Sequence, residues 1–218
     1  AKTEEASKNE TQFNPFGSMM HCKIREIENC DLHELSPLGL ILTRKGDARK
    51  EPDVPPLLLK LLTYQYGFVV LRNFKTLNDD ELVKFASGVG EPVIWTHGPI
   101  LHLKPSITPQ NFVMSFEALP MHWDLMFPPS YLESERYEEF TASFQIFQCV
   151  TAPKPGEGGC TTFCDGRKLL QATDAETIEK WRSTSLTYFT PQSYFGGKKK
   201  TYPLVMDHPS THDPILRY

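Results

Sequence analysis

The chain has 218 residues, a formal net charge of −4 and a hydrophobic fraction of 39%, enough to bury one real core and ordinary for a globular protein. The acidic balance and the lack of a basic stripe argue against nucleic acid as a partner. No apolar run approaches the ~20 residues of a membrane-spanning helix, and an odd set of five cysteines fits reduced thiols in the cytoplasm rather than a disulfide framework.

In chain order, residues 1–20 are polar and charged, so they read as a flexible tail or cloning remnant, unlike the apolar segment of a secretory signal. Residues 21–218 read as one domain. A first short strand is expected within Cys22 to Cys30 and another over Leu38 to Leu42, followed by an exposed charged loop from Arg44 to Glu51. Pro55-Pro56 before a leucine-rich run to Tyr66 predicts a helix with proline in its first turn and Gly67 as its carboxyl cap. Phe68-Val-Val-Leu71 predicts a buried strand. Asn78 with Glu81 forms a capping-box signature, and Leu82, Phe85, Ala86 and Val89 follow at helical spacing, with Gly88 and Gly90 ending the helix. Strands are expected near Val93 to Trp95 and over Phe112 to Phe116.

The run Leu119-Pro-Met-His-Trp-Asp-Leu-Met-Phe127 carries the candidate chemistry. On an extended segment His122 and Asp124 point to one side, because strand side chains alternate. Imidazole beside carboxylate, with coordination positions left open, is the ligand chemistry of non-haem Fe(II) oxygenases, which add a second histidine from elsewhere. The polar stretch Pro128 to Glu139 reads either as a lid over that site or as an acidic surface loop. Phe144 to Val150 is expected to be a strand. A glycine-rich turn then leads through Gly156-Glu-Gly-Gly-Cys-Thr-Thr-Phe-Cys-Asp-Gly166 to a short helix, Lys168 to Gln171, with Asp165 as its amino cap. Cys160 and Cys164 read as core-facing or strand-edge thiols, since no second cysteine pair closes a zinc site. Thr173 with Glu176 predicts a second capping box before a helix through Ile178 and Trp181. Strands return at Leu186 to Phe189 and Leu204 to Met206, and Lys198-Lys-Lys200 reads as a solvated loop. Short strands with glycine and proline turns and a few flanking helices suit a mainly β (α+β) fold, a double-stranded β-helix of the jelly-roll or cupin type.

His-x-Asp, the apolar run, Gly-Gly-Cys-Thr-Thr-Phe-Cys-Asp, the short leucine helix and Tyr202-Pro-Leu-Val-Met-Asp-His-Pro209, in that order, resemble the TauD/TfdA family of Fe(II)/2-oxoglutarate-dependent dioxygenases from about Gly39 to Tyr218. The wording Met-His-Trp-Asp with Gln-Ile-Phe-Gln-Cys-Val is most similar to its PvcB-like branch, oxygenases of isonitrile biosynthesis. The resemblance implies that His122 and Asp124 are two of three protein ligands to Fe(II), that 2-oxoglutarate is co-substrate, and that Thr161 binds its distal carboxylate. Thr162 is then the neighbour on the opposite face.

The family's second metal histidine and its 2-oxoglutarate arginine lie well beyond the segment matched by His208-Pro209, so both are expected after Tyr218 and the domain is expected to lack its carboxyl-terminal part. His208 matches a non-ligand position. Trp95, His97, Phe127 and, further off, His102, Trp123 and Phe147 are candidates for the substrate pocket, whereas His21 and His33 read as surface residues. The implied function is desaturation or hydroxylation of an amino-acid-derived isonitrile, with O2 and 2-oxoglutarate consumed. Two alternatives stand beside it: a TauD-like oxygenase of another small carboxylate or sulfonate, and a non-catalytic cupin-like metal or ligand binder. Self-association as a homo-oligomer stays open.

Overall fold

Leu58, Leu59, Leu61 and Leu62 are buried along helix α1, Pro56–Tyr66, and this leucine face organises the amino-terminal part of the chain. The structure is a computed structural model that describes residues 27, 29–47, 50, 52–109, 112–124, 126–129, 143–189, 199–208 and 212–217. It divides into two units, Ala1–Thr76 and Leu77–Tyr218.

In the first unit, strands β1 (Cys30–Glu34), β2 (Leu40–Arg44) and β3 (Val69–Arg72) form one sheet in that order. β1 pairs antiparallel with β2, and β2 runs parallel to β3. A parallel neighbour requires a crossover connection, which α1 supplies. Leu40, Leu42 and Leu62 are fully buried, each contributing about 1.5–3 kcal/mol of transfer free energy. Pro56 occupies the first turn of α1, where its missing N–H costs nothing. The helix stops at Gly67, whose φ of 82° and N–H to the Thr63 carbonyl at 2.8 Å form the expected cap. A β-carbon there would run into the Leu38 side chain. The buried Arg44 guanidinium donates to both Asp53 carboxylate oxygens, at 2.9 and 3.1 Å, and lies over the Phe74 ring.

The second unit opens with helix α2, Asp79–Val89. Its capping box is formed as the sequence implies: Asn78 Oδ1 accepts from the Glu81 N–H and a Glu81 carboxylate oxygen accepts from the Asn78 N–H, both at 3.0 Å. The helix passes through Gly88 and ends at Gly90. Helix α3 is Gly166–Gln171 and α4 is Ala175–Arg182. Two hairpins follow, β4 (Ser185–Phe189) with β5 (Lys199–Pro203) and β6 (Val205–Asp207) with β7 (Pro214–Leu216). Arg182 on α4 reaches Asp207 on β6 at 3.0 Å.

Several expectations change. Val93 to Trp95 forms no strand, and Trp95 makes an isolated bridge to Gly98. Phe112–Met114 is a 3-10 turn. Phe144 to Val150 is not laddered; instead the Gln148 amide bonds both the N–H and the C=O of Leu77 at 2.8 Å. The reason is common to all three: an apolar, β-branched run becomes a strand only when another edge supplies its hydrogen bonds, and none does so among the described residues. The amino cap of α4 is Asp174, which accepts from the Thr177 N–H at 2.8 Å, while Thr173 donates its hydroxyl to the Leu169 carbonyl. Lys199 and Lys200 belong to β5 rather than to a solvated loop. The tail over residues 1–20, Cys22, His21, and the candidate lid beyond Pro129 lie outside the described residues. Among the described residues no helix is long and apolar enough to cross a membrane. Among the described residues, helices and three small sheets together give an α+β arrangement.

Because the Asn78 and Glu81 bonds satisfy two otherwise open helix N–H groups, Asn78→Ala lowers stability by about 1 kcal/mol, read as a lower urea midpoint with an unchanged slope.

Candidate metal centre

The segment around His122 is irregular rather than a paired strand, yet it brings imidazole and carboxylate together. His122 Nδ1 lies 2.7 Å from the Pro120 carbonyl oxygen. A carbonyl only accepts, so Nδ1 donates there, which in the neutral ring leaves the lone pair on Nε2. Nε2 in turn lies 3.6 Å from Asp124 Oδ1. A ligating histidine whose other ring nitrogen is fixed on a backbone carbonyl is the recurring arrangement at metal sites. The two side chains are 38% and 48% exposed, so their contact contributes little stability. Their tautomer and donor types fit two coordination positions of a ferrous ion. Among the described residues no third His, Cys, Asp or Glu gathers with them.

Trp123, between the two, packs its ring into an aromatic cluster. Tyr202 meets it edge-on with centroids 5.1 Å apart, and Tyr188 does so at 6.0 Å. The indole N–H donates to the Tyr188 hydroxyl at 3.4 Å. Arg217, 2% exposed, sets its guanidinium over both rings, 4.7 Å from the Trp123 centroid and 5.3 Å from that of Tyr202. A desolvated contact of this kind is worth roughly 2 kcal/mol. Tyr202 also donates its hydroxyl to the Met126 carbonyl at 2.7 Å, so the backbone is held just beyond Asp124 as well.

A cleft of about 180 Å³ lies against this segment, lined by Met121, His122, Trp123, Thr162, Cys164 and Leu216 among others. The lining includes Thr162 but not Thr161, which is exposed one residue away. Thr162 was expected on the opposite face; residues 160–165 have no ladder to impose a period of two, and Phe163 and Cys164 border the same cleft. Cys160 and Cys164 are exposed rather than core-facing. The glycine turn is formed as the sequence implies, with Gly156, Gly158 and Gly159 all at positive φ. Phe127 is buried and does not line the cleft. Trp95 and His97 stack in parallel, 6.2 Å apart, away from its lining residues, and His102 pairs with Asp79 at 3.0 Å. Sequence reasoning assigned no role to Arg217, Tyr202 or Tyr188; an arginine ending the apolar run Pro214-Ile-Leu was the one available signal.

Asp165 caps α3, accepting from the N–H groups of Arg167 and Lys168 at 3.1 and 3.4 Å. Burial pushes its carboxyl up, but the Arg167 side-chain bond and charge and the two amide bonds outweigh that and hold it below the ordinary carboxylate range.

A family model described as taurine catabolism dioxygenase TauD, TfdA family matches residues 47–218. A Fischerella ambigua protein named 3-((Z)-2-isocyanoethenyl)-1H-indole synthase is 31% identical over 84% of this chain and 64% of its own length. A Pseudomonas aeruginosa tyrosine isonitrile desaturase is 30% identical over 83% of this chain and 58% of its length. The chain therefore spans about three fifths of the length of these two relatives. The solved structure of PvcB, described as an Fe, alpha-ketoglutarate dependent oxygenase from an isonitrile synthetic pathway, superposes with a TM-score of 0.66 at 27% identity, covering 87% of this chain and 66% of that one.

A carboxyl depressed in the folded state stabilises the fold fully above its unfolded value, ~3.9, and loses that contribution as pH falls through the folded value. Asp165→Asn keeps an acceptor for the cap but removes the charge, so urea unfolding of this variant between about pH 5 and 2 has a shallower acid loss than wild type.

Proposed function

Since the chain belongs to the taurine catabolism dioxygenase TauD, TfdA family, we propose that it is the greater part of an Fe(II)- and 2-oxoglutarate-dependent oxygenase that desaturates or hydroxylates a small, amino-acid-derived isonitrile. The single observation carrying the reading is the His122 and Asp124 pair, with Nε2 left as the lone-pair nitrogen 3.6 Å from the carboxylate. Iron bound there supplies the one-electron chemistry by which O2 and 2-oxoglutarate oxidise an unactivated C–H bond.

The chain's own residues have three tasks. His122, with Nδ1 held on the Pro120 carbonyl, is oriented so that Nε2 is the nitrogen offered to an ion. Asp124 supplies the negative charge that favours a divalent ion over water. Thr161 binds the distal carboxylate of 2-oxoglutarate through its hydroxyl, in partnership with an arginine, which supplies the stronger charged contact. Met121 and Trp123 bound the cleft beside His122, where apolar walls exclude water and orient a small ligand. Trp95 and His97 belong to the wider substrate surface in this reading; Phe127, being buried, does not. The isonitrile class is supported by the names of the two bacterial relatives, and the double-stranded β-helix by the likeness to PvcB. In this reading the protein works in the cytoplasm, in accord with the thiols free among the described residues.

Anaerobic addition of Fe(II) and then 2-oxoglutarate to the protein gives a weak visible charge-transfer band, and His122→Ala and Asp124→Ala each abolish it together with succinate formation. A normal band in either variant removes the pair from the metal site. Thr161→Val raises the 2-oxoglutarate concentration needed for half-maximal band intensity about 10-fold, with Fe(II) affinity unchanged; if Thr162→Val has that effect instead, the hydroxyl that borders the cleft is the one that binds.

A further inference from the structure

Arg217 carries a charge that the proposed chemistry does not use. It is 2% exposed, follows β7 immediately, and its backbone N–H donates to the Leu204 carbonyl at 2.8 Å. Its guanidinium faces two aromatic rings, and one of them belongs to Trp123, the residue between the two candidate ligands. Trp123 is gripped from three sides: by Arg217, by the edge-on Tyr202 ring, and by Tyr188, whose hydroxyl takes the indole proton. The same Tyr202 holds the Met126 carbonyl. The ligand segment is thus fastened at the middle of the His-x-Asp triplet and two residues beyond it, while Pro120 orients the imidazole from the other end.

We infer that Arg217 is a positioning residue for the metal pair, acting through Trp123. The inference rests on reading His122 and Asp124 as metal ligands. The physical argument is that, among the described residues, this segment has no ladder to hold it. Successive ligands on an irregular backbone keep a productive geometry only if something rigid locks the residue between them, and ligands must hold to within about 0.5 Å to bind a metal well. An arginine suits the task because its plane covers an indole face at a fixed distance and stays charged at any pH of interest. Lysine carries the same charge as a compact, strongly hydrated point on a flexible stem, so it covers the ring poorly. The order of effects across substitutions is therefore specified: loss of the cation weakens the metal more than loss of planarity alone.

The test uses Co(II) titrated anaerobically into the intact protein, followed by its visible absorption, with His122→Ala as reference. Arg217→Met, which fills the volume without charge, is expected to weaken Co(II) about 10-fold, the cost of removing an outer-shell support, and Arg217→Lys to recover part of that loss. The Co(II) band of Arg217→Met also shifts in position at saturation, because the ligand geometry changes; a merely structural loss lowers stability without moving that band. If His122→Ala eliminates binding while Arg217→Met binds Co(II) with wild-type affinity and spectrum, the positioning role is overturned. If His122→Ala itself binds normally, the metal reading is what fails, whatever the Arg217 variants do. Should Arg217→Met not fold, Trp95→Phe/Trp181→Phe leaves Trp123 as the sole tryptophan beside native Arg217. Zn(II), which does not quench, then shifts Trp123 emission in this protein if ligand pair and clamp are coupled, and an unmoved emission overturns the inference.

Discussion

The Arg217 guanidinium stacks on Trp123 and Tyr202, and this contact fastens the segment of the second unit that carries the candidate ligands. A backbone segment without sheet hydrogen bonds has many conformations of similar energy, and it is held to one of them by what its side chains bury. Trp123 provides the buried surface and Tyr202 couples that surface to a backbone carbonyl. His122 and Asp124, which flank Trp123, stay half exposed.

The two units solve their folding problems differently. The first uses a short β–α–β arrangement in which a leucine-rich helix covers a three-stranded sheet, and nearly all of its order follows from regular hydrogen bonding and apolar burial. The second relies on helix caps, two hairpins and specific polar contacts such as Gln148 with Leu77. Long irregular stretches between those elements carry the candidate chemistry. Placing ligand residues on loops fastened by rigid neighbours is common, because loops tolerate the backbone geometry a site demands.

Local signals were legible where the physics is local. The Asn78 and Glu81 box, the Gly67 cap, the Asp165 cap and the positive-φ glycines at 156, 158 and 159 each depend on a few adjacent residues, and each is formed. Where two neighbours compete for one task, sequence was ambiguous: Thr173 and Asp174 are both good caps, and the carboxylate holds the position. Strand readings at Val93, Phe112 and Phe144 failed for a different reason, since propensity describes a residue's fit to a pleated surface and says nothing of whether a partner edge is present.

The sequence by itself determined the ordered motif set that marks the family, the choice of His122 and Asp124 as the candidate pair, and the positions of the helices, because these rest on residue type and short spacings. Tertiary structure decided that Nδ1 of His122 is turned onto Pro120, that Thr162 borders the cleft, and that Arg217, 94 residues after Trp123 in the chain, lies on its ring. Those are contacts between segments far apart in sequence, and no local propensity encodes which distant side chain arrives to fill a given space.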